Sequence, residues 1–336
     1  MTETSSPETA GQGTTIPEAS GSGMGGRPAI GHPREQVAER LLRSSAQRSY
    51  DPAVDIDWAA PLPPDKRYLP EHRVSLYGTG LWAGLTPEQR YELAKHEIIS
   101  ITSYGIYAEV ALMHLLLKVV THGDPTSRHS QYALTEVADE CRHSTMFGRA
   151  IERSGVRPYR VPVWFRFALD LTLLLPIGPA TWGGTLLVEE LLDRLQRETL
   201  ADEDSQPHIR MVNRIHVSEE ARHIGYARAE LARIVPRTSR IELAFNRVAL
   251  AAAAPLLVRM MIDPEVYRAV GLDPKQARRA ARNNPRHRES LAWMGERLVA
   301  FLADTGMIKG RLTTALWRRS GLLADNTQHE TQGVRT

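Results

Sequence analysis

The sequence predicts an all-α fold, a four-helix bundle around a di-metal core with additional flanking helices, and three observations predict it. The first is the stretch 209–231, IRMVNRIHVSEEARHIGYARAEL, in which Ile209, Val212, His216, Glu220, His223 and Ala227 share one face at 3.6 residues per turn. Half of that face is polar, and His216, Glu220 and His223 are all metal-binding types. Burying them costs on the order of several kcal/mol unless something pairs with them, and a metal would. The second is a repeated ExxH motif, Glu140-Cys141-Arg142-His143 and Glu220-Ala221-Arg222-His223, each preceded by an acid, Asp139 or Glu219. With 12 histidines and 25 glutamates in 336 residues, chance supplies about one such pair, so two carry weight only in helical context. The third is a glutamate 31 residues upstream of each motif glutamate: Glu109 before Glu140, and Glu189 before Glu220. Helix-with-Glu followed by helix-with-ExxH, twice over, is the ligand pattern of ferritin-like di-metal carboxylate bundles.

Along the chain, residues 1–33 are rich in Gly, Ser, Thr, Pro and Glu and poor in large apolar side chains, so a disordered tail is expected. No basic-then-apolar secretory leader is read in it. Residues 34–85 read as a short amphipathic helix (34–48) followed by a Pro- and Gly-punctuated extended arm. The bundle and its C-terminal helices occupy 86–322, and 323–336 is a polar tail. Thr86-Pro87-Glu88-Gln89 opens a helix to about residue 121, with Thr at the cap and Pro in the first turn. Its core stripe is Ala94, Ile98, Ile101, Gly105, Glu109, Leu112 and Leu116, with Glu109 the one charge. After a turn at Gly123-Asp124-Pro125, the second helix runs to about 154 and sets Tyr132, Glu136, Glu140, His143, Phe147 and Ile151 on one face. The charge-free stretch 171–188 is broken by Pro176, Gly178, Pro179, Gly183 and Gly184, which favours a buried helix, a turn and the start of another helix over a membrane span. That next helix aligns Trp182, Leu186, Glu189 and Leu192. Glu190 shares its face with Arg194 and Arg197 and is expected in solvent, so Glu189 is the candidate. Residues 239–262 are alanine-rich and apolar nearly all round, suited to a buried or dimer-facing position. Short helices and turns at 264–285, then helices at 286–304 and 307–322, complete the reading.

Four carboxylates and two imidazoles, Glu109, Glu140, His143, Glu189, Glu220 and His223, suit two hard cations, and mixed oxygen and nitrogen donors favour iron or manganese over zinc. Asp139 and Glu219 are placed to accept from the distal nitrogen of the opposite helix's histidine. Arg142 and Arg222 are turned about 100° from the ligand face, and pairing with surface acids is expected for both. The single cysteine, Cys141, excludes an intramolecular disulfide and fits a reducing cytoplasm. A net charge of +3, with its basic excess near the C-terminus, gives no nucleic-acid reading, and without a phosphate-binding glycine loop or Walker motif the sequence indicates no nucleotide site.

His216 breaks the symmetry of the two halves, since Glu136 stands at the equivalent position before Glu140. Over about residues 88–235 the chain resembles the di-iron arylamine N-oxygenases, on AEV (Glu109), ADECRH (Glu140, His143), VEE (Glu189) and HVSEEARH (His216, Glu220, His223). The resemblance implies His216 as a seventh ligand, two iron ions, O2 as co-substrate and an external electron donor. It also implies oxidation of a small aromatic amine through hydroxylamino and nitroso stages to a nitro group, in natural-product biosynthesis. Glu136, the turn at 121–128 and the long N-terminal tail depart from the family pattern; Glu136 could be an acceptor, an occasional ligand or a surface acid. A di-iron C-hydroxylase and a ferritin-like iron- or peroxide-handling protein are the alternatives. An oxygenase needs an apolar cavity beside the metals, for which Gly105, Gly183 and Gly184 leave room. A homodimer and no membrane contact are expected.

Overall fold

The computed structural model describes residues 33–172 and 176–324, so the expectations for 1–32, 173–175 and 325–336 lie outside the described residues. Among the described residues the chain forms helices and no strand, with one isolated parallel bridge between Arg67 and Ser205. Helix α1 (Pro33–Gln47) is followed by an arm holding the short helices α2 (Pro52–Asp55) and α3 (Gly80–Ala83). Next come α4 (Pro87–His122) and α5 (Arg128–Ser154), then α6 (Val163–Thr172) within the long connection, then α7 (Pro179–Ala201) and α8 (Pro207–Ile234). Helices α9 (Arg240–Met260), α10 (Glu265–Arg268), α11 (Pro274–Asn283), α12 (Pro285–Asp304) and α13 (Arg311–Ser320) follow. Two hairpins joined by one long crossover, α4 with α5 and α7 with α8, make the ferritin-like four-helix bundle. Helix α1 lies across α5 and α8, while α9 and α12 pack on α7, and α13 on α9.

Local chemistry sets the ends of the bundle helices. Thr86 Oγ1 accepts from the Gln89 backbone N–H (3.2 Å) and Gln89 Oε1 accepts from that of Thr86 (3.0 Å), a reciprocal cap with Pro87 behind it. Ser127 Oγ caps α5, which ends at Gly155 with φ +72°, a left-handed conformation favouring glycine. Helix α7 is capped from a distance, because Asn246 Oδ1 of α9 accepts from Ala180 N–H at 2.8 Å. The arm is tied to the α7–α8 turn where Gln206 Nε2 donates to the carbonyls of Pro63 and Lys66, and the Arg67 guanidinium grips Asp202 with two 3.0 Å bonds. On the far side, Arg34 of α1 pairs with Glu230 of α8.

Helix α9 buries Leu250, Ala251, Ala254 and Pro255 and leaves Ile241 and Phe245 exposed. By length and composition alone, α4 and the stretch Arg240–Arg268 could each cross a membrane, but α4 is here a bundle helix packed along α5. Glu190 corrects the sequence reading: it is 5% exposed and paired with Arg228 of α8. Facing two arginines of its own helix did not reveal that a neighbouring helix covers it.

Glu97, on α4 beyond the core stripe, is fully buried. It accepts from Ser75 N–H (3.0 Å) and Ser75 Oγ, and Ser75 Oγ lies 2.9 Å from Tyr267 Oη, so one carboxyl links arm, bundle and α10. Burial pushes its carboxyl up to about 7, against the opposing effect of the Ser75 hydrogen bonds. A raised value means that the stability associated with the protonated form is present below the ordinary carboxyl range and is lost as pH rises through about 7. Ionising it in place costs on the order of 3 kcal/mol. Glu97→Gln should therefore flatten the fall in stability between about pH 5 and pH 7, the interval between the ordinary carboxyl value and the raised one. Urea unfolding at both values measures this, and an unchanged slope would count against a titrating Glu97.

Candidate metal centre

The four bundle helices each turn acids or histidines inward at helical spacing, and the seven candidates meet. Ligand atoms of Glu109, His143, His216 and Glu220 lie within 4.8 Å of one another, as do those of Glu140, His143, Glu220 and His223, and those of Glu109, Glu140 and Glu189. All seven side chains are buried. His143 Nδ1 is 2.9 Å from Glu140 Oε2 and 3.3 Å from Glu220 Oε1; His223 Nδ1 is 2.7 Å from Glu140 Oε1 and 3.3 Å from Glu220 Oε1. Both histidines thus present Nδ1 to the cluster. Their Nε2 atoms face acids across the α5–α8 contact, His143 to Glu219 at 2.9 Å and His223 to Asp139 at 3.3 Å. His216 is turned the other way: Nε2 faces Glu109 (3.3 Å) and Glu220 (3.6 Å), and Nδ1 lies 3.0 Å from Gln196 Oε1.

The outer partners are anchored in turn. Glu219 Oε1 accepts from Tyr50 N–H at 3.2 Å and lies 3.7 Å from Arg222, while Asp139 is paired with both Arg142 and Arg222. Those two arginines therefore bind buried acids beside the cluster rather than the expected surface acids. A rotation of 100° carries them off the ligand face but onto the α5–α8 seam, where Asp139 and Glu219 also lie. Glu136 is 0% exposed, so the surface-acid option is excluded, and neither of its oxygens has a hydrogen-bond partner among the described residues. Burial, reinforced by nearby carboxylates and opposed by His223, pushes it up to about 8.

Electrostatics divide the cluster in two. Burial and the neighbouring carboxylates hold Glu109 and Glu189 well above the usual range. Burial would raise Glu140 and Glu220 as well, but the facing histidines outweigh it, bringing Glu140 to about 2 and Glu220 well below normal. Burial works against charge on His143 and His223, yet the carboxylates around them raise both well above the imidazole range. Burial lowers His216 to about 4 despite Glu220, leaving a neutral imidazole. Protons here occupy the place that cations would take, and loading metal would release them.

Several atoms test that fit. Among the described residues, Glu109 Oε2, Glu140 Oε1, Glu189 Oε1, both oxygens of Glu220 and His223 Nδ1 are buried without a partner in hydrogen-bonding geometry, the 2.7 Å approach of His223 to Glu140 included. Orphaned acceptors aimed at one another are costly unless a cation joins them. Four carboxylates with three imidazoles suit a pair of hard or borderline ions such as iron or manganese.

Two cavities reach this cluster. An inner one of about 50 Å³ is bounded by Gly105, Phe147, Glu109, Glu189 and His216, with the Phe147 ring 5.0 Å from that of His216. An outer one of about 320 Å³ is lined by Trp164, Phe165, Gly184, Val188, Leu256 and Leu257 and also ends on Glu189. Tyr104 and Ala108 border both. Gly184 opens on free space, whereas a Cβ on Gly183 would meet Leu250 at 2.5 Å. Gly183 thus makes room for α9 rather than for a substrate, correcting that part of the sequence reading. Gln196 and Tyr50 were missed. Gln196 stands seven residues after Glu189, on the same face, so periodicity held a signal for it; the Tyr50 contact is through backbone and had none.

Residues 32–306 match the family described as P-aminobenzoate N-oxygenase AurF. Similar curated proteins include an uncharacterised protein of Mycobacterium tuberculosis (strain CDC 1551 / Oshkosh), 27% identical over 235 residues that span 68% of each chain. An uncharacterised protein of Mycobacterium bovis is 28% identical over 214 residues, 62% of this chain and 63% of that one. Among solved structures, an R2-like ligand-binding oxidase variant with a non-activated Mn/Mn cofactor aligns with TM-score 0.49 and 15% identity, covering 80% of this chain and 94% of that one. A second variant, with an aerobically reconstituted Mn/Fe cofactor, aligns at 0.45 and 14%, covering 87% and 92%.

Proposed function

The chain belongs to the p-aminobenzoate N-oxygenase AurF family, and from that premise we propose that it is a di-iron, O2-dependent N-oxygenase of a small aromatic amine. The observation that carries the proposal is the joining of the two features: a buried cluster of four carboxylates and three histidines, with an apolar cavity that ends on one of them, Glu189. A storage protein has no use for that cavity. Its volume of about 320 Å³ lies at the lower end of the range for small-ligand pockets, about 300–1,000 Å³, and suits one aromatic ring.

Glu109, Glu140, His143, Glu189, His216, Glu220 and His223 would hold the two irons, which when bound supply the activation of dioxygen. The protein's own contribution is position and an apolar binding surface. Asp139 and Glu219 orient the two ExxH rings with Nδ1 inward, and Gln196 orients His216 with Nε2 inward. Trp164, Phe165, Leu256 and Leu257 offer an apolar surface for a ring in the cavity that also reaches Glu189. An external electron donor and a cytoplasmic homodimer belong to the same proposal. The exposed Ile241 and Phe245 on α9 support the dimer, which sedimentation would detect.

Iron-loaded, reduced protein exposed to O2 with a panel of arylamines should yield hydroxylamino and nitro products by mass. Ring-hydroxylated products would indicate the C-hydroxylase instead, and iron oxidation with no organic product would indicate iron handling. Gly184→Leu should fill part of the outer cavity and raise KM for the best amine about tenfold, a loss on the order of 1.4 kcal/mol, with metal content unchanged. An unaltered KM would place the substrate elsewhere.

A further inference from the structure

Where α9, α11, α12 and α13 meet, a cleft of about 720 Å³ shares no lining residue with the two cavities at the metal cluster. Helix α11 sets Lys275, Arg278, Arg279 and Arg282 at i, i+3, i+4 and i+7, which puts four cations on one face, while Ala277 and Ala281 are buried. Arg259 of α9, Arg288 of α12 and Arg319 of α13 line the same cleft. The chain carries 39 acids in all, yet among the described residues no Asp or Glu lines this cleft and none of its seven cations forms an ion pair.

A helix face that is merely solvated usually interleaves signs, and Lys275 with Arg279 and Arg278 with Arg282 are instead like-charge pairs at i, i+4 that destabilise a helix. Burial, then Arg319, Arg282 and Arg278, lowers the Arg259 guanidinium from its ordinary value, as an unneutralised positive field requires. The floor is different in kind: Val258, Ile262, Leu291 and the ring of Tyr267 give it an apolar base.

We propose that this cleft binds a small soluble molecule carrying at least two phosphate groups beside a ring system, of the nucleoside diphosphate class. Guanidinium forks match phosphate oxygens two at a time, several converging cations require more than one phosphate, and the apolar floor takes the ring. Concave shape and limited volume fit a small molecule better than a nucleic-acid duplex, whose phosphates run along an extended outer backbone.

Calorimetric titration of the full chain with ADP, pyrophosphate and inorganic phosphate tests the site, alongside pelleting with phosphatidylglycerol vesicles and titration with an RNA duplex. ADP and pyrophosphate should bind, weakening as salt is raised, with inorganic phosphate at least tenfold weaker. The double variant Arg278→Gln/Arg282→Gln should lose at least tenfold in ADP affinity while its melting curve stays near wild type. Arg311→Gln/Arg318→Gln, with the same charge removed outside the cleft, should lose less than twofold. Equal losses in both variants, binding to vesicles alone, tighter binding of RNA than of ADP, or no binding at all would overturn the assignment. Arylamine oxidation is not needed for any of these readings, so they stand apart from the fate of the N-oxygenase proposal.

Discussion

Replacing either ExxH histidine should empty the metal centre without unfolding the bundle. His143→Ala and His223→Ala are each expected to fall from about two metal ions per chain to fewer than one. Each ring presents Nδ1 to the cluster within 3.3 Å of both Glu140 and Glu220, so its loss removes a nitrogen donor and leaves four carboxylates with only two imidazoles. The acids behind the rings do not become stranded charges. Asp139 keeps Arg142 and Arg222, and Glu219 keeps Tyr50 N–H and Arg222, which is why folding should survive. Removing only an outer partner of a ligand histidine typically costs about 10–100-fold in metal affinity, and removing the histidine itself should cost at least that. Metal analysis beside a thermal melt decides the matter. Full metal occupancy in both variants would sink the ligand assignment.

Exchange of His216 should separate metal binding from chemistry. His216→Gln is expected to keep more than half of its metal while losing at least about tenfold in amine oxidation, on the order of 1.4 kcal/mol in the barrier. Glutamine is a weaker donor but can keep one hydrogen bond, either to Gln196 or toward Glu109, where the native ring makes both contacts. His216 adds a neutral nitrogen and no charge, so it tunes an ion that the other six groups can already hold. Gln196→Leu, which frees the ring without removing it, should lose less. Time-resolved absorption after oxygen exposure gives a readout independent of product yield. Wild-type decay and normal yield in His216→Gln would reduce His216 to a satisfied core histidine and weaken the N-oxygenase proposal with it.

Periodicity by itself determined which side chains travel together. Ile98, Ile101, Gly105 and Glu109 on α4, or His216, Glu220 and His223 on α8, share a face because a helix repeats every 3.6 residues, and their burial follows from that face being the apolar one. Caps were legible for the same local reason: Thr86 and Gln89 find each other within one turn. The distinction between Glu189 and Glu190 was also local in part, since one rotation of 100° sends them to different neighbours. What covers the second face was not local. Only the packing of α8 on α7 brings Arg228 over Glu190, and only the crossing of α5 and α8 sets Arg142 and Arg222 against Asp139. Gly183 and Gly184 are identical in sequence terms, yet one lies under Leu250 and the other opens the outer cavity. Helical spacing reports direction about one axis, whereas a contact needs two axes, and the second is supplied by how the helices are stacked.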